Sequence, residues 1–147
     1  MKKLLGLLLL ISTASLAQDK KADEVLGTWL TATQNARIEI SKNGNNYQGK
    51  IVWMKEPIDL TTNKPKTDTK HPDVNLHNRP LLGLTNIWGF KYDATSNTYT
   101  NGHIYDPKNG KDYKSIMTLK DNNNSLEVRG YIGITLIGRS ETWTRIK

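Results

Sequence analysis

The side chains richest in chemistry in this 147-residue chain are Asp106, Tyr113 and Arg129, together with Arg79 and Tyr105. Glu127, Arg129 and Tyr131 lie two apart and so share one strand face. If that face points inward, the guanidinium needs a paired acid such as Asp106 and further hydrogen-bond acceptors. It could then hold a ligand carboxylate or phosphate by a bidentate fork. If the face is solvated, the same residues do no more than tie the Asp106-Pro107 turn to a neighbouring strand. Tryptophan and tyrosine form a second set, because the chain holds four Trp and six Tyr against one Phe. Both types join a broad apolar face to a hydrogen-bonding group, which suits either a pocket for an amphipathic or sugar-like molecule or the core of a small barrel. Trp53 and Trp88 flank the longest loop and are expected near an open mouth, whereas Trp29 and Trp143 are expected in the core.

Catalytic patterns are missing. His71, His77 and His103 are the only histidines. The first two stand near Asp68 and Asp73 in a polar segment, which reads as loop surface rather than a metal centre. No Gly-x-Ser-x-Gly occurs, and no glycine-rich phosphate loop precedes a helix. Asp106 and Glu141 are only nominal partners for glycoside chemistry, which needs two acids across one cleft. With no cysteine there is no disulfide scaffold, thiolate metal site or Cys nucleophile. No catalytic residue, metal or other cofactor is assigned, and the reading leans away from an enzyme.

The elements that must position these residues are short strands. Leu26 to Thr33, Arg37 to Ile40, Tyr47 to Met54, Asn86 to Asp93, Thr98 to Tyr105, Lys111 to Lys120, Ser125 to Ile132 and Thr135 to Arg145 are rich in β-branched and aromatic residues. Asn- and Gly-rich turns such as Asn43-Gly44-Asn45-Asn46 link most of them. One short helical turn is expected over Lys20 to Val25. The pattern predicts an all-β, eight-stranded, antiparallel up-and-down barrel, with a two-sheet sandwich as its competitor. Lys55 to Arg79, with Pro57, Pro65 and Pro72, interrupts the meander as a long loop between strands 3 and 4. It reads either as a lid over one barrel mouth or as a solvated excursion.

The first 17 residues predict an export signal: Lys2 and Lys3, an apolar run from Leu4 to Ile11, and small side chains at Ser15 and Ala17. That run is shorter than the roughly 20 residues needed to span a bilayer. The expected organisation is a signal peptide at 1–17 and one barrel domain at 18–147, periplasmic or secreted. Cleavage removes two lysines and lowers the formal net charge from +7 to +5. Scattered lysines and an exported address argue against nucleic acid as a partner, while contact with an acidic envelope surface is compatible with them. Strands carrying Asp112 with Lys114, or Arg139 with Glu141, argue against a membrane-spanning barrel. Nothing in the sequence speaks to the oligomeric state.

Gly27-Thr28-Trp29 at the start and Trp143-Thr144-Arg145 at the end resemble the lipocalin and fatty-acid-binding-protein signature. That resemblance implies that Trp29 packs across the barrel floor against Arg145, with Gly27 and Trp143 completing the closure. A closer resemblance runs through Gly49-Lys50-Ile51-Val52-Trp53, Asn78-Arg79-Pro80-Leu81-Leu82-Gly83-Leu84 and Gly102-His103-Ile104-Tyr105-Asp106-Pro107. It continues in Gly110-Lys111-Asp112-Tyr113-Lys114, Val128-Arg129-Gly130-Tyr131-Ile132-Gly133 and Gly138-Arg139-Ser140-Glu141-Thr142-Trp143-Thr144-Arg145. In this the chain resembles the exported bacterial family known as domain of unknown function 2147, which implies an exported single-domain barrel and supplies no catalytic residues. The functional expectation is a small apolar or amphipathic ligand in the barrel mouth, contacted by Trp53, Trp88, Tyr105, Asp106 and Tyr113. Arg79 or Arg129 would orient an acidic headgroup. The alternative is a filled barrel acting as an envelope interaction or scaffold module.

Overall fold

The computed structural model describes residues 16–131 and 138–147. Residues 1–15 of the signal expected over 1–17, and the strand residues expected at 132 and 135–137, lie outside the described residues. Residues 16–22 are helical and run into a 3-10 turn at Asp23–Val25, extending the single helical turn expected there. Ten strands follow: β1 Gly27–Leu30, β2 Ala36–Asn43, β3 Asn46–Met54, β4 Ile58–Asp59, β5 Lys64–Pro65, β6 Thr85–Asp93, β7 Thr98–Asp106, β8 Lys111–Lys120, β9 Ser125–Tyr131 and β10 Gly138–Ile146. Eight of them close a barrel in the order β1-β10-β9-β8-β7-β6-β3-β2, every pair antiparallel, while β4 and β5 form a separate hairpin inside the long connection. This is the up-and-down barrel that the strand count and hairpin-length links predict. Closure pairs both edges that an open sheet would expose.

Period-two alternation sets the inside. Ile38 and Ile40 on β2, Tyr47 and Ile51 on β3, Leu126 and Val128 on β9 and Trp143 on β10 are buried, while charged neighbours such as Glu39, Lys50 and Arg129 face outward. Two irregularities break the rhythm. Val52 is an extra residue between the pairs Arg37↔Trp53 and Ile38↔Ile51, a bulge that changes the phase of β3. On β6 and β7, Gly89 (φ 77°) and Asn101 (φ 59°) lie in the left-handed region. Ile87 and Phe90 both end up inside, and so do Tyr99 and Gly102. Gly102 lies under the Phe90 ring, which a Cβ there would strike.

Trp29 and Arg145 close one end. The guanidinium carbon sits 4.2 Å from the indole centroid. Its nitrogens donate to the carbonyls of Asn123 (Nε, 2.6 Å), Leu26 (Nη1, 2.8 Å) and Glu24 (Nη2, 2.6 Å). The Trp29 indole N–H donates to the Val25 carbonyl at 3.0 Å. One planar cation thereby ties together the 3-10 turn, the Leu26 link into the first strand and the β8–β9 turn, combining cation–π attraction with its fork of donors. Val25, Trp29, Ile40, Tyr47, Phe90, Tyr99, Met117 and Leu126 pack this half solidly.

Candidate functional site

The other half of the barrel is open. A cavity of about 1260 Å³ opens there, bounded within the strands by Ile38, Ile51, Ile104, Val128 and Trp143 and extending beyond them along the long connection to Thr67, Thr69, Asn78 and Leu81. Polar side chains also border it: Asn86 from β6, Asp106 from the end of β7, Tyr113 from β8, and Arg139 and Glu141 from β10. Asn86 donates through Nδ2 to the Tyr105 carbonyl at 3.3 Å, and its buried Oδ1 has no partner among the described residues. The Tyr113 hydroxyl accepts from Asn109 Nδ2 at 2.8 Å. Arg139, Glu141 and Trp143 alternate along one face of β10 and pair with Gly130, Val128 and Leu126 of β9, so all three belong to the inner side.

The rim around this cavity is cationic. Lys55, Lys64, Lys66, Lys70, Lys108 and Arg139 border it, against Glu56, Asp59, Asp106 and Glu141. Three of those acids are locally engaged. Asp59 accepts from the Thr61 backbone N–H at 2.8 Å, Asp106 from that of Lys108 at 2.9 Å, and Glu56 faces Lys66 at 3.6 Å. Lys55, Lys64, Lys70, Lys108 and Arg139 enter none of the ion pairs among the described residues.

The long connection does two things. The β4–β5 hairpin lies at the mouth, where Asp59, Lys64 and Pro65 border the cavity. The following stretch folds down the outer wall and is latched there. Asp68 has a fully buried side chain; Arg79 donates to its Oδ2 from Nε at 2.8 Å and Nη2 at 2.7 Å. The Tyr105 hydroxyl donates to Oδ1 at 2.6 Å. Backbone bonds from Asp68 N–H to Arg79 O (3.0 Å) and from Leu81 N–H to Lys66 O (3.1 Å) make a ladder on either side. Burial, followed by the bond to Asp68, pushes the Tyr105 hydroxyl up to about 12. Gly110 (φ 69°) lets the Lys70 carbonyl approach so closely that any Cβ would collide with it. The expectation of a lid or an excursion thus resolves into a hairpin at the mouth plus a strap on the wall.

The residues singled out from sequence divide three ways. Tyr113 and Asp106 border the cavity, and Tyr105 borders it as well as the smaller one on the outer wall. Arg79, Tyr105 and Trp88 come together on the outer wall, where they share a smaller cavity of about 390 Å³ with His71 and Asp112. Trp53 stands on the outer face of β3, 36% exposed, with the Arg37 guanidinium 4.8 Å from its ring centroid. Arg129 faces outward on β9, so the barrel wall separates it from Asp106 and their proposed pairing is not made. Gly27, Trp29, Trp143 and Arg145 occupy the closing strands, and a Cβ on Gly27 (φ 125°) would lie 3.0 Å from an Arg145 nitrogen. Sequence reasoning did not assign Arg139 or Asn86 to the site and considered Glu141 only as a nominal acid. The alternation that put Trp143 and Arg145 inside also places Glu141 and Arg139 there, so that signal was available. Among the described residues no three His, Asp or Glu side chains converge as a metal site.

A closed, antiparallel eight-stranded barrel with an indole–guanidinium closure and one open end is the architecture of a lipocalin-like protein. In keeping with this, the chain is similar in fold to protein HP1028 from the human pathogen Helicobacter pylori, described as belonging to the lipocalin family. That match has a TM-score of 0.68 and 20% identity over 84% of this chain and 83% of that one. The chain belongs to the bacterial family DUF2147, described as an uncharacterized protein conserved in bacteria, whose family model matches residues 27–145. A search of curated proteins finds no match.

Proposed function

We propose that this protein is an exported, soluble carrier that holds a small amphipathic molecule in the open half of its barrel. The observation that carries this reading is the cavity of about 1260 Å³ with an apolar wall and a cationic rim. It exceeds the range of about 300–1,000 Å³ usual for small-molecule sites, leaving room for an elongated hydrocarbon body. Ile38, Ile51, Ile104, Val128 and Trp143 would take that body, and burying it supplies most of the affinity at about 25 cal/mol per Å². Lys64, Lys66, Lys70 and Arg139 would attract an acidic headgroup, with Tyr113 and Asn86 as hydrogen-bonding groups within reach of the chain. Arg79 is committed to Asp68, and Arg129 lies outside, so Arg139 takes the orienting role proposed for them. An open cavity of this size beside the packed closed end supports a carrier over a filled scaffold module.

Native mass spectrometry before and after delipidation provides the first test, followed by titration of the stripped protein with a fluorescent long-chain fatty acid. Val128→Trp, which places an indole in the cavity, should abolish probe binding while the β-rich circular dichroism persists. Bare-polypeptide masses throughout, or a Val128→Trp variant that still binds the probe at wild-type affinity, would reject the carrier reading.

A further inference from the structure

The smaller cavity lies between the outer wall and the strap, and Tyr105 is the described residue it shares with the lining of the larger one. Its described lining is His71, Pro72, Arg79, Thr85, Trp88, Tyr105, Gly110 and Asp112, of which five side chains decide its chemistry. Trp88, 37% exposed, presents an indole whose position is set by a parallel stack on His103, with centroids 5.4 Å apart and planes 6° apart. Tyr105 forms an aromatic base, with the His71 ring tilted against it at 5.3 Å. Because His71 Nδ1 accepts the Asp73 backbone N–H at 2.9 Å, the neutral ring carries its proton on Nε2 and is a donor there. Arg79 spends two of its five donors on Asp68, and its guanidinium carbon lies 5.5 Å from the Tyr105 ring centroid. Asp112, half exposed and 3.5 Å from His103 Nδ1, supplies acceptor oxygens.

From this combination we infer a second binding site, on the outer wall, for a neutral polyhydroxylated ring such as a pyranose sugar. Charge decides the class. The Arg79 cation is already matched by buried Asp68, and the other formal charge among the described lining residues is the Asp112 carboxylate, which repels phosphates and carboxylates. Arg79 in turn disfavours cations. What remains favourable is a ligand with an apolar face for the indole and vicinal hydroxyls that both donate and accept. The cavity volume of about 390 Å³ suits a ligand of one or two rings. Its frame is rigid by construction: the Asp68 latch and the close approach of Lys70 to Gly110 hold the strap, while paired β6 and β7 hold Trp88 and Tyr105. Little ordering is left for binding to impose.

The test is an NMR titration of isotopically labelled protein with glucose, N-acetylglucosamine and maltose, using inorganic phosphate and choline as charged controls. At least one sugar should shift the Trp88 indole N–H and the backbone amides of Gly110 and Asp112, saturating at millimolar concentrations. Trp88→Ala and Asp112→Ala should each weaken that binding by about tenfold or more. Neither should change fatty-acid probe binding in the barrel, so failure here and failure of the carrier reading are distinguishable. If Trp88→Ala does not fold, Asp112→Ala carries the comparison. Absence of any sugar-induced shift at these resonances overturns the assignment, as does a stronger response to phosphate or choline or unchanged sugar affinity in a folded variant.

Discussion

Asp68 is a carboxylate without exposed surface whose two oxygens are both engaged, one by Arg79 and the other by Tyr105. Burying a charge this deeply is costly unless it is paired, so removing one member hurts more than the net worth of the set. Asp68→Ala should lower the urea midpoint by an amount equivalent to about 3–5 kcal/mol, the range for broken buried pairs. Tyr105→Phe should cost less, about 1.5–3 kcal/mol, because one hydrogen bond to the buried carboxylate is lost while Arg79 still pairs it. Equal and negligible effects of both substitutions would show that the latch does not hold the strap. The same tyrosine carries a pH signature. Its hydroxyl is raised to about 12 in the fold from an ordinary value of 10, so the folded state keeps a proton that the unfolded state releases. Its contribution is therefore complete below pH about 10 and declines as pH rises through 12. Burial raises Tyr47 and Tyr99 in the same direction, reinforcing the alkaline loss. Tyrosinate absorbance tracked with circular dichroism should show these tyrosines ionising only as the barrel unfolds. Asp23 works at the acid end. Its bonds from Lys42 and Tyr47 hold it below the ordinary carboxylate value, so its contribution is lost as pH falls through that lowered value.

At the scale of elements, two departures from regular pairing decide where the aromatic side chains go. Counting by twos from Ile51 would turn Trp53 inward, and counting back from Phe90 would do the same for Trp88. The extra residue at Val52 and the left-handed positions at Gly89 and Asn101 put both indoles outside. Composition identifies Trp53 and Trp88 as neighbours of the long loop, but a bulge has no comparably strong local signature in one sequence. Close backbone approaches are equally silent. Gly102→Ala would drive a methyl group into Phe90, a case of overpacking that should cost about 1–3 kcal/mol in chemical denaturation. Gly110→Ala should displace the strap instead, giving faster proteolytic cleavage between residues 66 and 81 with only a modest fall in global stability. If cleavage rates stay at the wild-type value, the strap does not depend on that contact.

For the molecule as a whole, closure and opening are separated along the barrel axis. The closed end depends on Arg145, whose planar fork reaches three carbonyls while lying over Trp29. Arg145→Lys keeps the charge but loses the fork, and should destabilise the barrel by about 2–4 kcal/mol, measured as a shift in denaturation midpoint. At the open end, attraction between a cationic rim and an anionic headgroup should be screened over about 8–10 Å at physiological ionic strength. Lys64→Glu with Lys70→Glu should therefore weaken binding of the fatty-acid probe and flatten its salt dependence. Unchanged affinity and salt slope would remove the rim from the account of binding.

The amino-acid sequence alone determined the number of barrel strands, their antiparallel order and the place of the long connection. Each of these follows from local information, the alternation of apolar residues and turn chemistry, whereas the meeting of Trp29 with Arg145 was implied by the resemblance of the two end motifs to the lipocalin signature. Only the tertiary structure decided that packing fills one half and leaves the other hollow, since that depends on volumes summed over all eight strands. It also brought Arg79, Trp88 and Tyr105 to the outer wall, because one bulge, two left-handed residues and a buried carboxylate act together through contacts distant in the chain.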